Sequence, residues 1–136
     1  MKIIIAGSRS MVPTKEDWDI LDRFRTTITE VVSGCAKGAD EFGEEWADDQ
    51  KLPVKKFPAD WDKYGRAAGP IRNKQMAEYA DGLVAFKFKN SKGTSNMIKQ
   101  ARECGLKVVV IDKNKKVNVF KDLTIFFQNR LESMTY

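Results

Sequence analysis

Residues 65–86, GRAAGPIRNKQMAEYADGLVAF, pass from a Gly-Pro pair through a helical apolar pattern straight into an unbroken apolar run. Pro70 has the fixed φ of a first helical turn, so the helix is predicted to begin there, with Met76, Ala77 and Ala80 on its inner face. Gly82 to Phe86 then reads as a strand without polar alternation, the pattern of a strand covered on both faces. A helix delivered directly into such a strand is half of a β-α-β unit. The fold follows if the unit repeats.

Four further runs read as strands: Lys2 to Ala6, Ile28 to Ser33, Val54 to Phe57 and Lys107 to Ile111. Helical patterns separate them. One starts near Thr14, where Asp17 three residues on forms a capping-box-like pair and Trp18, Leu21 and Phe24 supply an inner face. Another carries Phe42, Trp46 and Ala47; a last one carries Met97, Ala101 and Cys104 and stops at Gly105. This alternation predicts an α/β fold with a mostly parallel central sheet of five or more strands and helices on each side.

The 136 residues, 42% hydrophobic and 32% charged, suit one domain with a real core. Within it, 1–111 is the α/β core. Residues 112–136 are an extension, read as a lysine-rich turn, an edge strand from Lys116 to Phe120 and an amphipathic helix that covers the sheet or meets another subunit. No apolar run approaches the roughly 20 residues that span a bilayer, so a cytoplasmic protein without a membrane partner is expected.

The chain has no histidine, which excludes Ser-His-Asp, Cys-His and HExxH chemistry; catalysis would rest on carboxylates, Lys, Arg, Ser, Tyr or backbone. Cys35 and Cys104 have no metal-like spacing and read as buried reduced thiols, so no metal is expected. A net charge of +5 favours acidic partners such as phosphates, although the lysines are dispersed as on any solvated basic surface.

In an open parallel sheet, ligands gather where strand ends lead into helix N-termini. There Gly7 allows close backbone approach, Ser8 offers a hydroxyl and Arg9 a bidentate donor. Gly34, Ala36 and Gly38 form a small-residue turn suited to an anion, and equally suited to tight strand-to-helix packing. Ser91, Gly93 and Thr94 repeat the device after the fourth strand, with Ser95 and Asn96 as alternative caps. Trp61 and Tyr64 offer faces for a base beside Asp60, a hydrogen-bond acceptor; a core plug is the other reading of Trp61.

The stretches AGSRS, VVSGCAKGADEFGEEWA, FPADWDKYGRAAGPIRNKQMAEYADGLVAF and SKGTSNMIKQA, in that order, resemble the YspA-like branch of the SLOG superfamily, the group that includes DprA and the LOG phosphoribohydrolases. The resemblance covers Met1 to about Ile111 and implies a three-layer Rossmann-like fold. It also implies a nucleotide-derived ligand at Gly7, Ser8 and Arg9, Gly34 to Asp40 (Ala39 and Asp40 included), Arg72 and Asn73, and Gly93 and Thr94. Arg72 matches the catalytic arginine of the LOG enzymes. Their glutamate is missing, because KGTSNM places Met97 there, and Met97 can neither stabilise an oxocarbenium-like centre nor activate water. Asp40 is the carboxylate best placed to substitute, or else a helix cap.

The expected function is binding, as a sensor or sequestering protein, of a nucleotide or nucleotide-derived small molecule, with no cofactor. The alternatives are a nucleotide hydrolase of the LOG type, cleaving an N-glycosidic or phosphate bond with Arg72 and Asp40 as candidates, and DprA-like binding of single-stranded DNA. Homo-oligomers are expected from the resemblance.

Overall fold

The computed structural model describes residues 1–114. Five strands, β1 (Lys2–Gly7), β2 (Glu30–Ser33), β3 (Val54–Lys56), β4 (Gly82–Lys87) and β5 (Lys107–Asp112), form one sheet in the order β3-β2-β1-β4-β5. Every pairing is parallel, with Ala6 opposite Ala85 and Gly7 opposite Phe86. The expected three-layer Rossmann-like architecture is therefore present.

Strand pleating sorts the core into two layers. Ile3 and Ile5 face α1 (Lys15–Arg23) and α2 (Ala39–Asp49), where Leu21, Phe42 and Trp46 are buried with Phe86. Ile4 and Ala6 face α4 (Ala68–Tyr79) and α5 (Lys92–Glu103), against Met76, Ala77, Met97 and Ala101. Apolar side chains on consecutive strand positions are thus consumed by opposite layers. The short edge strand β3 exposes Lys55 and Lys56, which blunts that edge against further pairing.

The first helix starts as its sequence dictates. Thr14 Oγ1 accepts from the Asp17 N–H and Asp17 Oδ2 accepts from the Thr14 N–H at 2.9 Å, closing the capping box. Asp17 is 1% exposed, and Lys113 Nζ donates to its other oxygen at 2.7 Å, fastening the turn after β5 to the start of α1. Asp17→Ala removes the reciprocal half of the capping box and strands Lys113 together. Loss of about 2–4 kcal/mol of unfolding free energy is expected in urea titrations.

Several expectations need correction. The helix opening the key stretch begins at Ala68 rather than Pro70, and what looked like loop before it holds a short helix α3 (Trp61–Tyr64) and a 3-10 turn (Gly65–Ala67). Pro70 still lies in the first turn, where a missing N–H costs nothing. Residues 28 and 29 precede β2, since the Ile28 N–H closes a turn onto the Phe24 carbonyl. Both cysteines are exposed rather than buried: Cys35 sits at φ +64 in the turn after β2, and Cys104 caps the exposed end of α5. Asp112 completes β5, so the α/β core runs one residue further than expected. The predicted edge strand Lys116 to Phe120 and terminal helix lie outside the described residues. Among the described residues, no helix is long and apolar enough to cross a membrane.

Candidate functional site

Strand order creates the site. β1 and β4 are neighbours, yet the chain leaves β1 towards the α1/α2 layer and β4 towards α5 in the other layer, so their carboxyl ends part and leave a crevice. A cleft of about 390 Å³ occupies it. Ala6, Gly7, Met76 and Met97 line it with apolar surface, while Arg9, Asp40, Arg72, Asn73, Lys92 and Thr94 bring the polar groups. A second lobe of about 440 Å³ adjoins it, lined also by Cys35, Lys37, Pro58 and Ala59.

Arg72 comes from the second turn of α4 and is held by two contacts. Its Nη1 donates to the Gly34 carbonyl and its Nε to Asn73 Oδ1 at 3.1 Å. Among the described residues Nη2 has no protein partner, and no carboxylate lies within ion-pair distance of Arg72 or Arg9. Arg9 lays its guanidinium over the Trp61 ring, 5.5 Å from the centroid. Trp61 is 48% exposed and lines both lobes, so it is a wall of the cleft and not a core plug.

Asp40, in the first turn of α2, is 6% exposed and accepts the Ala36 N–H at 3.1 Å. Burial pushes its carboxyl up to about 6; the Ala36 N–H and the positive charges of Arg72 and Arg9 work against that rise. Burial likewise lowers Arg72 from its ordinary value, and burial together with Glu44 raises the Cys35 thiol, which disfavours a thiolate nucleophile there.

The Asp40 shift has a consequence for stability. Its folded value lies above the ordinary 3.8, so between those values the folded chain holds a proton that the unfolded chain has released. Stability should therefore rise as pH falls through about 6, by about 1 kcal/mol between pH 7 and pH 5. Urea midpoints at the two pH values measure this; Asp40→Asn should flatten the difference.

Of the residues expected at the site, Gly7, Arg9, Ala36, Asp40, Trp61, Arg72, Asn73, Ser91, Gly93 and Thr94 line the main cleft. Asn73 is buried with its amide donating to Asn96 Oδ1 at 3.0 Å, so it ties α4 to α5. The Thr94 hydroxyl is paired with Ser91 Oγ at 2.5 Å. Five do not line it. Ser8 faces a neighbouring hollow and pairs with Ser10; Gly34 supplies the carbonyl under Arg72. Ala39 is fully buried and donates its N–H to the Ser8 carbonyl, and Gly38 lies against the backbone of Ser8 and Arg9. Asp60 caps α3 by accepting the Lys63 N–H. Lys92 and Ala6 were not foreseen as lining; Met97, which the resemblance placed where the LOG enzymes carry their glutamate, does line the cleft. Lys92 opens α5 within the glycine-containing SKGTSN stretch, whereas Ala6 has no sequence signal distinct from core.

Among the described residues, no three of His, Cys, Asp and Glu cluster as metal ligands. The arrangement can fix an anion between two guanidinium groups and hold an apolar or planar group beside it.

The described architecture is similar to that of DNA processing protein A (DprA) from Streptococcus pneumoniae, with a TM-score of 0.65 over 94% of this chain at 18% identity. That likeness concerns the fold alone, and the chain matches 56% of the length of that protein. The Gene 61 protein of Mycobacterium phage D29 is 31% identical over 117 residues, covering 79% of this chain and 94% of the relative. Residues 1–64 match the model of the YspA, cpYpsA-related SLOG family, and with that relative spanned almost end to end, the chain belongs to this family.

Proposed function

We propose that the cleft at the ends of β1 and β4 binds a nucleotide or nucleotide-derived ligand, and that the protein senses or sequesters it. The observation that carries this reading is the pair Arg9 and Arg72, both lining the cleft and neither neutralised by a carboxylate within ion-pair distance among the described residues. Phosphate oxygens would meet these guanidinium groups and Lys92, while a base would rest on Trp61 or on the apolar floor. Family membership supports a nucleotide-related role. Calorimetry with nucleoside monophosphates and diphosphates tests it: saturable binding is expected, weakened about tenfold in Arg9→Ala. No heat with any nucleotide would sink the reading.

A specific observation also favours a second reading, hydrolysis of a nucleotide N-glycosidic bond. Asp40 is a buried carboxyl poised near 6 beside Arg72, the condition of a group that exchanges protons near neutral pH. Released base from nucleoside monophosphates, lost in Asp40→Asn, would establish it; intact substrate after prolonged incubation would leave binding alone. Self-association belongs to this proposal too, and sedimentation of the purified chain reads it out.

A further inference from the structure

The two lobes of the groove share Arg9, Ala36, Trp61 and Arg72. Two cations, Arg9 and Arg72, therefore stand at the waist between them, while Lys92 lines only the main lobe and Lys37 only the second. The main lobe has an apolar floor, and the second is walled by Pro58 and Ala59 with Lys37 at its rim. At about 390 and 440 Å³, each lobe alone has the size of a small-molecule site. A nucleoside monophosphate, charged at one end, fills one lobe and leaves the other to water.

From this placement we infer that the preferred ligand is two organic groups joined through a diphosphate, the diphosphate held at the waist by Arg9 and Arg72 and one group seated in each lobe. This rests on the nucleotide-binding reading above and specifies its ligand. Two adjacent phosphates suit these two guanidinium groups better than one does, because Arg72, whose Nε and Nη1 already donate to Asn73 and Gly34, can offer Nη2 to one phosphate while Arg9 takes the other. Trp61, at the same waist, gives whichever planar group lies beside the diphosphate a face to stack on. The second lobe shares Trp61 but lacks the Ala6, Met76 and Met97 floor of the main lobe, so a sugar, with hydroxyls for Lys37 and the exposed turn, fits it better than a second base.

Calorimetry of the full chain with AMP, ADP and ADP-glucose separates these contributions. ADP-glucose should bind about tenfold or more tighter than ADP, which isolates the second lobe from the second phosphate. Ala59→Trp, which fills that lobe, should bring ADP-glucose down to the affinity of ADP while leaving AMP unchanged. Lys37→Glu, at an exposed position where folding is not at risk, should weaken ADP-glucose more than AMP. Equal affinity for ADP and ADP-glucose overturns the inference and leaves the nucleotide reading intact, as does equal weakening of all three ligands by either variant. Failure of all three nucleotides to bind overturns both.

Discussion

Arg72→Ala is expected to lower affinity for a nucleotide about 100-fold while the chain stays folded, the largest functional effect of any single substitution in the cleft. The Gly34 carbonyl and Asn73 Oδ1 hold this guanidinium in place before any ligand arrives, so little side-chain entropy remains to be lost on binding. Two charge-assisted contacts of about 1–2 kcal/mol each, at a half-buried position, account for that factor. The same truncation leaves the Gly34 carbonyl without its donor and Asp40 without its nearer cation, so the Asp40 carboxyl should titrate higher still. Arg72→Lys keeps the charge and loses the fork; it should fall between. Calorimetry measures affinity and thermal melting confirms folding. Unchanged affinity in both variants would move the binding site elsewhere.

Gly38→Val should have the largest effect on stability, a loss of about 3–5 kcal/mol. Gly38 lies at φ +74, and a Cβ there would stand 2.3 Å from the Ser8 carbonyl oxygen and 2.6 Å from that of Arg9. Those are backbone atoms of the loop that presents Arg9. They cannot yield without moving the site, so about 1–3 kcal/mol of backbone strain adds to a comparable overpacking cost. Gly93 provides the contrast: it lies inside α5, has no positive φ, and a Cβ there meets nothing within 4 Å. Gly93→Ala should be neutral or raise stability by up to about 1 kcal/mol. Urea denaturation of the pair decides the matter. Equal destabilisation would show that crowding at Gly38 is not the cause.

That contrast also marks where reading the sequence reaches its limit. Gly38 and Gly93 look alike as residues, each at a strand-to-helix turn beside small or hydroxylic neighbours. Only the packing of the β1 loop against the start of α2 makes one of them obligatory. Asp60 and Asp40 differ in the same way. Both stand near helix starts, but Asp60 spends its carboxylate on the Lys63 N–H at the surface, while Asp40 is enclosed between α2 and the Arg72 side chain of α4. Trp61 read equally well as core or surface, because hydrophobicity alone does not say which side of a loop meets the sheet. The two cysteines were misjudged on the same ground.

The α/β alternation, the doubly covered strands, the Thr14–Asp17 cap and the concentration of Gly, Ser and Arg at strand ends were all legible in the order of residues. These depend on periodicity and on contacts a few residues long, such as the cap closing over three positions. Tertiary structure alone decided that β1 and β4 lie side by side, and hence where the crevice opens. It decided as well which side chains meet there, since Arg72 reaches the Gly34 carbonyl across 38 positions and Lys113 reaches Asp17 across 96. Such pairings follow from which layer each helix packs into. That choice is made by the summed burial of whole faces, so no short stretch of the chain records it.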